Sequence, residues 1–174
     1  AGLRTTVDGG PEHEQHTNHL VVADRWGNVV SYTNTIEQIA GSGITVPGRG
    51  FLLNNELTDF NFPPGTANSV QPGKRPRSSM SPTIVLRDGK VVEAIGSPGG
   101  ATIITTVLQT LINQIDFGMT LPEAIEAPRA SSRNGATIEA EPSFVKRYGD
   151  PLGALGETFT TSDYIGIAAG LSFL

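Results

Sequence analysis

Thr17 has the residue type and the position for nucleophilic catalysis. It lies where a polar segment, residues 1–16, meets an apolar run with the pattern of a strand. A threonine hydroxyl attacks poorly unless a base accepts its proton, and the residue's own α-amino group can do so when it is free at a chain terminus. A cut between His16 and Thr17 would free that amine, although an isolated threonine at the start of a strand is usually inert.

A pair of glycines, Gly99 and Gly100, comes directly before the strongest helical pattern in the chain. The first N–H groups of a helix have no intrahelical acceptor, and glycine lets a substrate oxygen approach them closely. Such donors can form an oxyanion hole. On local sequence alone, a tight strand-to-helix turn that needs glycine for its backbone is the alternative.

Two polar clusters could recognise charged groups of a substrate. Glu56 and Asp59 lie three residues apart after a short apolar run, and a carboxylate pair is what an ammonium group requires. Ser78 and Ser79 follow a basic segment, residues 74–77, so their hydroxyls and the nearby N–H groups could bind a carboxylate. A solvated acidic loop and a surface turn are the respective alternatives.

Composition removes several classes of function. The chain has no cysteine, which excludes disulfides, thiolate catalysis and zinc–thiolate sites. A net charge of -5 and the lack of a long basic run argue against nucleic acid as a partner. His13, His16 and His19 recur every third residue, but neither a helix nor a strand would align them, so we predict no metal site and no cofactor. No apolar stretch reaches the roughly 18 residues of a membrane span.

The elements that must position these residues begin with two hairpins. Apolar runs at 19–23 and 29–33 flank a turn that contains Gly27, a residue suited to positive φ. A second pair of runs, at 83–86 and 91–95, flanks Asp88-Gly89, the favoured pair of a type I′ turn.

Helices follow in a separate block. One apolar stripe predicts a long helix that packs on a sheet and ends at Gly118; its members are Ile103, Ile104, Val107, Leu108, Leu111, Ile112 and Ile115. Thr120 and Glu123 predict a capping box for a short helix that ends before Pro128. A strand near 137–140 and a short helix near 142–148 come next. Hairpins and helices in separate blocks indicate an α+β layered domain.

Taken together, the motifs resemble the small subunit of γ-glutamyltranspeptidases in order and spacing. The resemblance is strongest over residues 17–130. The motifs are Thr17-x-His19, Asp24-x-x-Gly27-Asn28, Thr35, Gly41-Ser42-Gly43, Leu52-Leu53-Asn54-Asn55-Glu56-x-x-Asp59-Phe60, Arg75-Pro76-x-Ser78-Ser79-Met80-Ser81-Pro82, Gly96-Ser97-Pro98-Gly99-Gly100 and Ala127-Pro128-Arg129.

The resemblance implies an N-terminal-nucleophile hydrolase with a four-layer αββα sandwich, in which two packed antiparallel sheets are flanked by helices. Such a protein is made as one precursor that cuts itself into a large and a small subunit. Residues 1–16 would then end the large subunit, with the cut between His16 and Thr17. Residues 17–174 would form the catalytic small-subunit domain, which we expect to be truncated at its C-terminus.

The resemblance also implies a role for each matching residue. Thr17 corresponds to the nucleophile, and Thr35 to the threonine that hydrogen-bonds to it and supports processing. The remaining matches are Glu37, Glu56 and Asp59 for the substrate's α-amino group, Ser78 and Ser79 for its α-carboxylate, and Gly99 and Gly100 for the oxyanion hole.

The implied activity is γ-glutamyl hydrolysis and transfer through an ester on Thr17. Glutathione would be the donor, water or an amino acid or peptide the acceptor, and the large subunit the protein partner, supplying an arginine to the site. A periplasmic or secreted location is expected from the family only. Two alternatives remain at this stage: a related acylase of the cephalosporin acylase or poly-γ-glutamate depolymerase type, and an unprocessed, catalytically silent fragment.

Overall fold

A computed structural model of the chain describes residues 17–173, so residues 1–16, with the predicted cleavage-site residue His16, and Leu174 lie outside the described residues. The strands and helices are, in order, β1 (Thr17–Ala23), β2 (Val29–Thr35), β3 (Thr83–Arg87), β4 (Lys90–Gly96), α1 (Ile103–Ile115), α2 (Leu121–Glu126), β5 (Ala130–Ser131), β6 (Ile138–Ala140), α3 (Pro142–Gly153), β7 (Phe159–Thr161) and β8 (Ala169–Ser172). Short 3-10 turns cover Glu56–Asp59 and Gly100–Thr102.

Both predicted hairpins are present. β1 and β2 pair antiparallel around a turn in which Gly27 has φ 86°. β3 and β4 pair antiparallel around Asp88 and Gly89, whose φ values of 53° and 76° are both positive, as a type I′ turn requires. The turn residues identified from the sequence therefore fix both hairpins.

The layers are built on β4, which pairs with β3 on one edge and antiparallel with β8 on the other. Successive side chains of a strand point to opposite faces. On one face, Ile95 joins a buried core with Ile103, Val107 and Leu121 from the two helices. On the other face the β1–β2 hairpin packs on the sheet, where Ser31 donates a hydrogen bond to the Ile95 carbonyl at 3.1 Å. Two packed antiparallel sheets, with α1 and α2 on the outer face of the sheet that contains β4, confirm the predicted α+β class.

A third sheet, which the sequence did not predict as such, lies beyond α2. β5 and β6 pair antiparallel, whereas β6 and β7 pair parallel. α3 connects β6 to β7, and Phe144 packs against Phe159 with ring centroids 6.2 Å apart. The predicted end of this helix near residue 148 was wrong, because the helix continues through Gly149 and Pro151, residue types that usually stop one.

The bounds of α1 match its apolar pattern, but the predicted buried face was partly wrong. Ile104, Leu108, Ile112 and Ile115, all members of the predicted stripe, are exposed by between 37% and 70%. The buried residues of the helix are Ile103, Thr106, Val107, Thr110 and Asn113. The two threonine hydroxyls donate to the carbonyls four residues earlier, at 2.9 Å each, so that burial leaves neither hydroxyl unpaired.

The link between α1 and α2 has the predicted stop and start signals. Gly118 has φ 68°, and its N–H donates to the Gln114 carbonyl at 3.1 Å. The Glu123 carboxylate accepts hydrogen bonds from the Thr120 N–H at 2.8 Å and from its hydroxyl at 2.7 Å, which confirms the capping box. Within residues 17–173, no helix has both the length and the apolarity to cross a membrane.

Candidate functional site

Thr17 and Thr35 lie directly opposite each other at the open end of the β1–β2 hairpin. The Thr17 hydroxyl donates a hydrogen bond to the Thr35 hydroxyl oxygen at 3.1 Å. Directly opposed residues of an antiparallel pair project to the same face. The turn that sets this register is held by the Asp24 carboxylate, which accepts from the N–H groups of Trp26 and Asn28 at 2.9 Å each.

Glu37 follows β2 in a backbone conformation that is uncommon for a residue with a side chain, with φ 76°. Its N–H donates to the Thr35 hydroxyl oxygen at 2.9 Å, so that this oxygen accepts from both Thr17 and Glu37. The Glu37 carboxylate accepts hydrogen bonds from the Asn55 side-chain amide and, at 3.0 Å, from the Thr58 hydroxyl. These contacts hold the carboxylate beside the hydroxyl pair.

Asn55 joins this turn to the next acidic segment. Its N–H donates to the Ile36 carbonyl at 3.2 Å, and its side-chain oxygen accepts from the Gln38 N–H at 3.0 Å. The 3-10 turn that follows carries Glu56 and Asp59. Burial, followed by the charges of Asp59 and Glu37, raises the pKa of Glu56. Three carboxylates therefore form one side of the site, where a bound cation would relieve their mutual repulsion.

The glycines and serines form the other side. Gly99 and Gly100 have φ values of 143° and 53°, both in the region that favours glycine. A Cβ atom on Gly99 would lie 2.8 Å from the Thr102 hydroxyl oxygen and 3.2 Å from the Gly166 Cα. The Ser79 hydroxyl donates to the Gly100 carbonyl at 2.8 Å. This hydrogen bond joins the serine segment to the start of the helix.

Most of the residues predicted for the site line one cleft of about 560 Å³. The predicted site residues that line it are Thr17, Thr35, Glu37, Glu56, Asp59, Ser78, Ser79 and Gly100. Gly99 is not among the lining residues, although it directly precedes Gly100, and His16 lies outside the described residues.

Other residues of the cleft were not assigned to the site from the sequence. They are Arg77, Met80, Ala101, Ile103, Ile104 and Arg133. Arg77 adjoins Ser78, so its place in the chain was a usable signal. Arg133 gave no such signal, because it comes from the segment after β5 and pairs with Glu139 at 3.1 Å. Asn55 and Thr58 were also missed, because they act by holding the Glu37 carboxylate.

His19 lies on the same face of β1 as Thr17 but is held within the sheets. Its Nδ1 is 2.9 Å from the Thr33 hydroxyl oxygen, and Nε2 has no hydrogen-bond partner among residues 17–173. A Cβ atom on Gly96 would lie 2.1 Å from the ring, so only glycine fits there. Burial lowers the pKa of His19. Across the described part of the chain, no cluster of three or more histidine, cysteine or acidic residues could hold a metal ion.

A threonine that begins the first strand of two packed antiparallel sheets, in a cleft with a second hydroxyl, is the arrangement of an N-terminal-nucleophile hydrolase. The family model for γ-glutamyltranspeptidase matches residues 4–173. The chain belongs to the γ-glutamyltranspeptidase family, as the sequence motifs predicted.

Similar proteins include both transpeptidases and an acylase. The chain is 54% identical over 149 residues to the glutathione hydrolase proenzyme of Bacillus subtilis (strain 168), which covers 86% of this chain and 25% of that protein. It is 40% identical to the acylase ACY 1 proenzyme of Pseudomonas sp. (strain SE83), over 84% of this chain and 26% of that protein. The chain thus spans about a quarter of the length of these curated relatives.

A solved structure of a family member has a similar fold. The γ-glutamyltranspeptidase T380A mutant of Helicobacter pylori superimposes with a TM-score of 0.80 at 43% identity, over 90% of each chain. This similarity confirms the predicted sandwich fold of the N-terminal-nucleophile hydrolases.

Proposed function

We propose that this chain supplies the nucleophile, the head-group site and the oxyanion donors of an enzyme that hydrolyses and transfers γ-glutamyl groups. One observation carries the proposal: a single cleft has the Thr17 hydroxyl together with three carboxylates, two serines and Gly100. This set matches a substrate that has an ammonium group and a carboxylate at one end and an amide to be cleaved at the other. Glutathione is such a substrate.

Processing comes first in this proposal. Residues 1–16 are the end of the large subunit, and the precursor cuts itself between His16 and Thr17. The cut releases the α-amino group that Thr17 needs as its base. The Thr35 hydroxyl, 3.1 Å from that of Thr17, orients the nucleophile for both the cut and the later chemistry.

In the acylation step, the Thr17 hydroxyl oxygen attacks the γ-carbonyl carbon while the α-amine of Thr17 accepts the hydroxyl proton. The N–H groups of Gly99 and Gly100 stabilise the negative charge that develops on the carbonyl oxygen. The amide C–N bond then breaks, the proton passes to the leaving nitrogen, and a γ-glutamyl ester remains on Thr17.

Deacylation repeats the step with a new nucleophile. Water, or the amino group of an amino acid or peptide, attacks the ester and passes a proton through the α-amine back to the Thr17 oxygen. Water gives glutamate, and an amine gives a new γ-glutamyl amide. The same site is therefore a hydrolase and a transferase.

Head-group recognition uses the two sides of the cleft. Glu37, Glu56 and Asp59 bind the α-ammonium group, whose positive charge opposes the burial and the neighbouring negative charges that raise the pKa of Glu56. Ser78 and Ser79 bind the α-carboxylate, together with an arginine that the large subunit contributes.

The test compares Thr17→Ala and Thr17→Ser in the full-length precursor. Mass spectrometry reports the cut, and γ-glutamyl-p-nitroanilide reports the activity. We expect wild type to yield a subunit that begins at Thr17, and Thr17→Ala to stay intact and inactive. Thr17→Ser keeps a hydroxyl and an α-amine, so it should be processed and retain activity at a reduced rate. Cleavage of the substrate by Thr17→Ala, or a wild-type precursor that stays intact and silent, would refute the proposal.

The similarity to an acylase supports a second candidate, a related enzyme that acts on another acyl group. Glutaryl-p-nitroanilide separates the two, because it has the same chain length as the γ-glutamyl compound but no ammonium group. Preference for the γ-glutamyl amide supports the transpeptidase, since the three carboxylates of the cleft attract a cation. Preference for the glutaryl amide would favour the acylase.

A further inference from the structure

The segment from Asn61 to Arg77, which contains four prolines, is folded on itself by hydrogen bonds. The Asn61 N–H donates to the Asn68 carbonyl at 2.9 Å. The Ser69 hydroxyl is buried; it accepts from the Thr66 N–H at 2.8 Å and donates to the Pro63 carbonyl at 2.9 Å. The segment therefore has a defined shape beside the cleft.

The side chain of Asn68 connects this segment to both sides of the cleft. Its Nδ2 donates to the Asp59 carbonyl at 2.7 Å, and its Oδ1 accepts from the Arg77 N–H at 3.0 Å. Asp59 ends the acidic 3-10 turn, and Arg77 directly precedes Ser78. One amide group thus links the backbone of a carboxylate residue to the backbone next to the serines.

Asparagine suits this position because its side chain carries a donor and an acceptor at the same short reach. Alanine would remove both hydrogen bonds. Aspartate would keep an acceptor for the Arg77 N–H but lose the donor, and would put a carboxylate oxygen against the Asp59 carbonyl. Loss of the donor leaves the partly buried Asp59 carbonyl without this partner, which is costly, whereas the hydrogen bond from the Arg77 N–H is exposed and costs less to lose.

We propose that Asn68 is a positioning residue that sets the spacing between the ammonium-binding carboxylates and the carboxylate-binding serines. It thereby makes the cleft selective for ligands that end in an α-amino acid. This inference rests on the proposed function. Asn68 acts through Asp59 and Ser78, so its loss should change selectivity for the head group rather than the chemistry at Thr17.

The test measures binding, so that it does not depend on turnover. The processed full-length enzyme is titrated with L-glutamate and with glutarate, which differ only in the α-amino group. We expect Asn68→Ala to reduce the preference for L-glutamate about tenfold, from the loss of two hydrogen bonds. Aspartate has nearly the same size as asparagine, and Asn68→Asp should also reduce the preference for L-glutamate. This variant replaces Asn68→Ala in the test if the alanine variant does not fold.

Thr66→Val is the matched control. It removes the hydroxyl that lies 2.9 Å from the Ser69 hydroxyl and loosens the same segment, but leaves both Asn68 hydrogen bonds in place. It should keep the wild-type preference. The inference would be overturned if Asn68→Ala weakened the binding of L-glutamate and of glutarate equally, or if it left the preference unchanged. It would also be overturned if Thr66→Val lost as much preference as Asn68→Ala.

The binding test also separates this inference from the proposed function. A wild-type enzyme that prefers L-glutamate but cleaves no γ-glutamyl amide would contradict the proposed activity, while the Asn68 variants would still report on the head-group site. A wild-type enzyme that binds both acids equally would overturn the inference itself.

Discussion

The two sides of the cleft are held in place by different means. The acidic side, Glu37, Glu56 and Asp59, lies on a turn and a 3-10 segment, and side chains hold its geometry: Asn55 and Thr58 bind the Glu37 carboxylate. The glycine side has Gly99 and Gly100, which lie where β4 leads into α1, and the two serines, which precede β3. The geometry of the glycines depends on backbone φ values that only glycine adopts readily.

The two sides also differ in how tightly the surrounding residues are packed. Ser97, just before the glycines, is fully buried, and its hydroxyl oxygen accepts from the Ile167 N–H at 2.9 Å. A Cβ atom on Gly166 would come within 2.3 Å of the Thr106 hydroxyl oxygen, so the packing there has no spare room. Thr58, by contrast, is exposed. We therefore expect substitutions on the acidic side to have small effects on function and substitutions on the glycine side to have large ones.

The largest effect is expected for Gly99→Ala. The new methyl group would meet the Thr102 hydroxyl and the Gly166 backbone, at a φ of 143° that disfavours alanine. If the N–H groups beside it hold the oxyanion, kcat should fall about 100-fold or more, while KM for γ-glutamyl-p-nitroanilide changes little.

Gly118→Ala is the matched control for that variant. Gly118 also has a positive φ, 68°, but a Cβ atom there has no neighbour within 4 Å, and the residue lies after α1 rather than before it. It should cost stability and leave kcat unchanged. If Gly99→Ala lost no more activity than Gly118→Ala, the glycine side would have no role beyond folding.

A smaller effect is expected for Thr58→Val on the acidic side. Valine has the same shape but lacks the hydroxyl oxygen that lies 3.0 Å from the Glu37 carboxylate and 2.9 Å from the Asn55 carbonyl, and whose single hydrogen is available to these two acceptors. KM for the γ-glutamyl substrate should rise about five- to tenfold with kcat nearly constant. Thr58→Ser restores the hydroxyl and should restore KM. An equal rise in both variants would assign the effect to packing.

Local sequence signals predicted the elements that place the nucleophile. The turn from Asp24 to Asn28 and the type I′ pair at Asp88 and Gly89 depend only on neighbouring residues, and both hairpins formed with the predicted strands. The opposition of Thr17 and Thr35 then follows from the register of the first hairpin. Its chemical meaning came from the resemblance of the motifs to a family, because a strand-start threonine has no signal of its own.

Contacts between distant segments could not be predicted in this way. The face of α1 was misjudged because its apolar residues cover more than one face, and because Thr106 and Thr110 can be buried at low cost by bonding within the helix. The hydrogen bond between Ser79 and Gly100, and the contacts of the Asn68 side chain with backbone groups, depend on how loops meet. Residue types and their spacing along the chain do not predict such contacts between loops.

The smallest effect expected is a pH dependence on the acidic side alone. Because burial and two neighbouring carboxylates raise the pKa of Glu56, this group takes up a proton at a higher pH than an ordinary glutamate. Protonation removes one negative charge from the acidic side. The preference for L-glutamate over glutarate should therefore fall, by about threefold, as the pH is lowered from about 8 to about 5.

The Glu56→Gln variant identifies the group that titrates. Glutamine is neutral throughout, so its preference for L-glutamate should already be low near neutral pH and should lose most of the pH dependence. Measuring binding rather than turnover keeps the α-amine of Thr17, which acts as the base only during the reaction, from dominating the result. The serines and glycines of the other side do not titrate in this range. A pH dependence that survives Glu56→Gln unchanged would therefore contradict the assignment of the titrating group to Glu56.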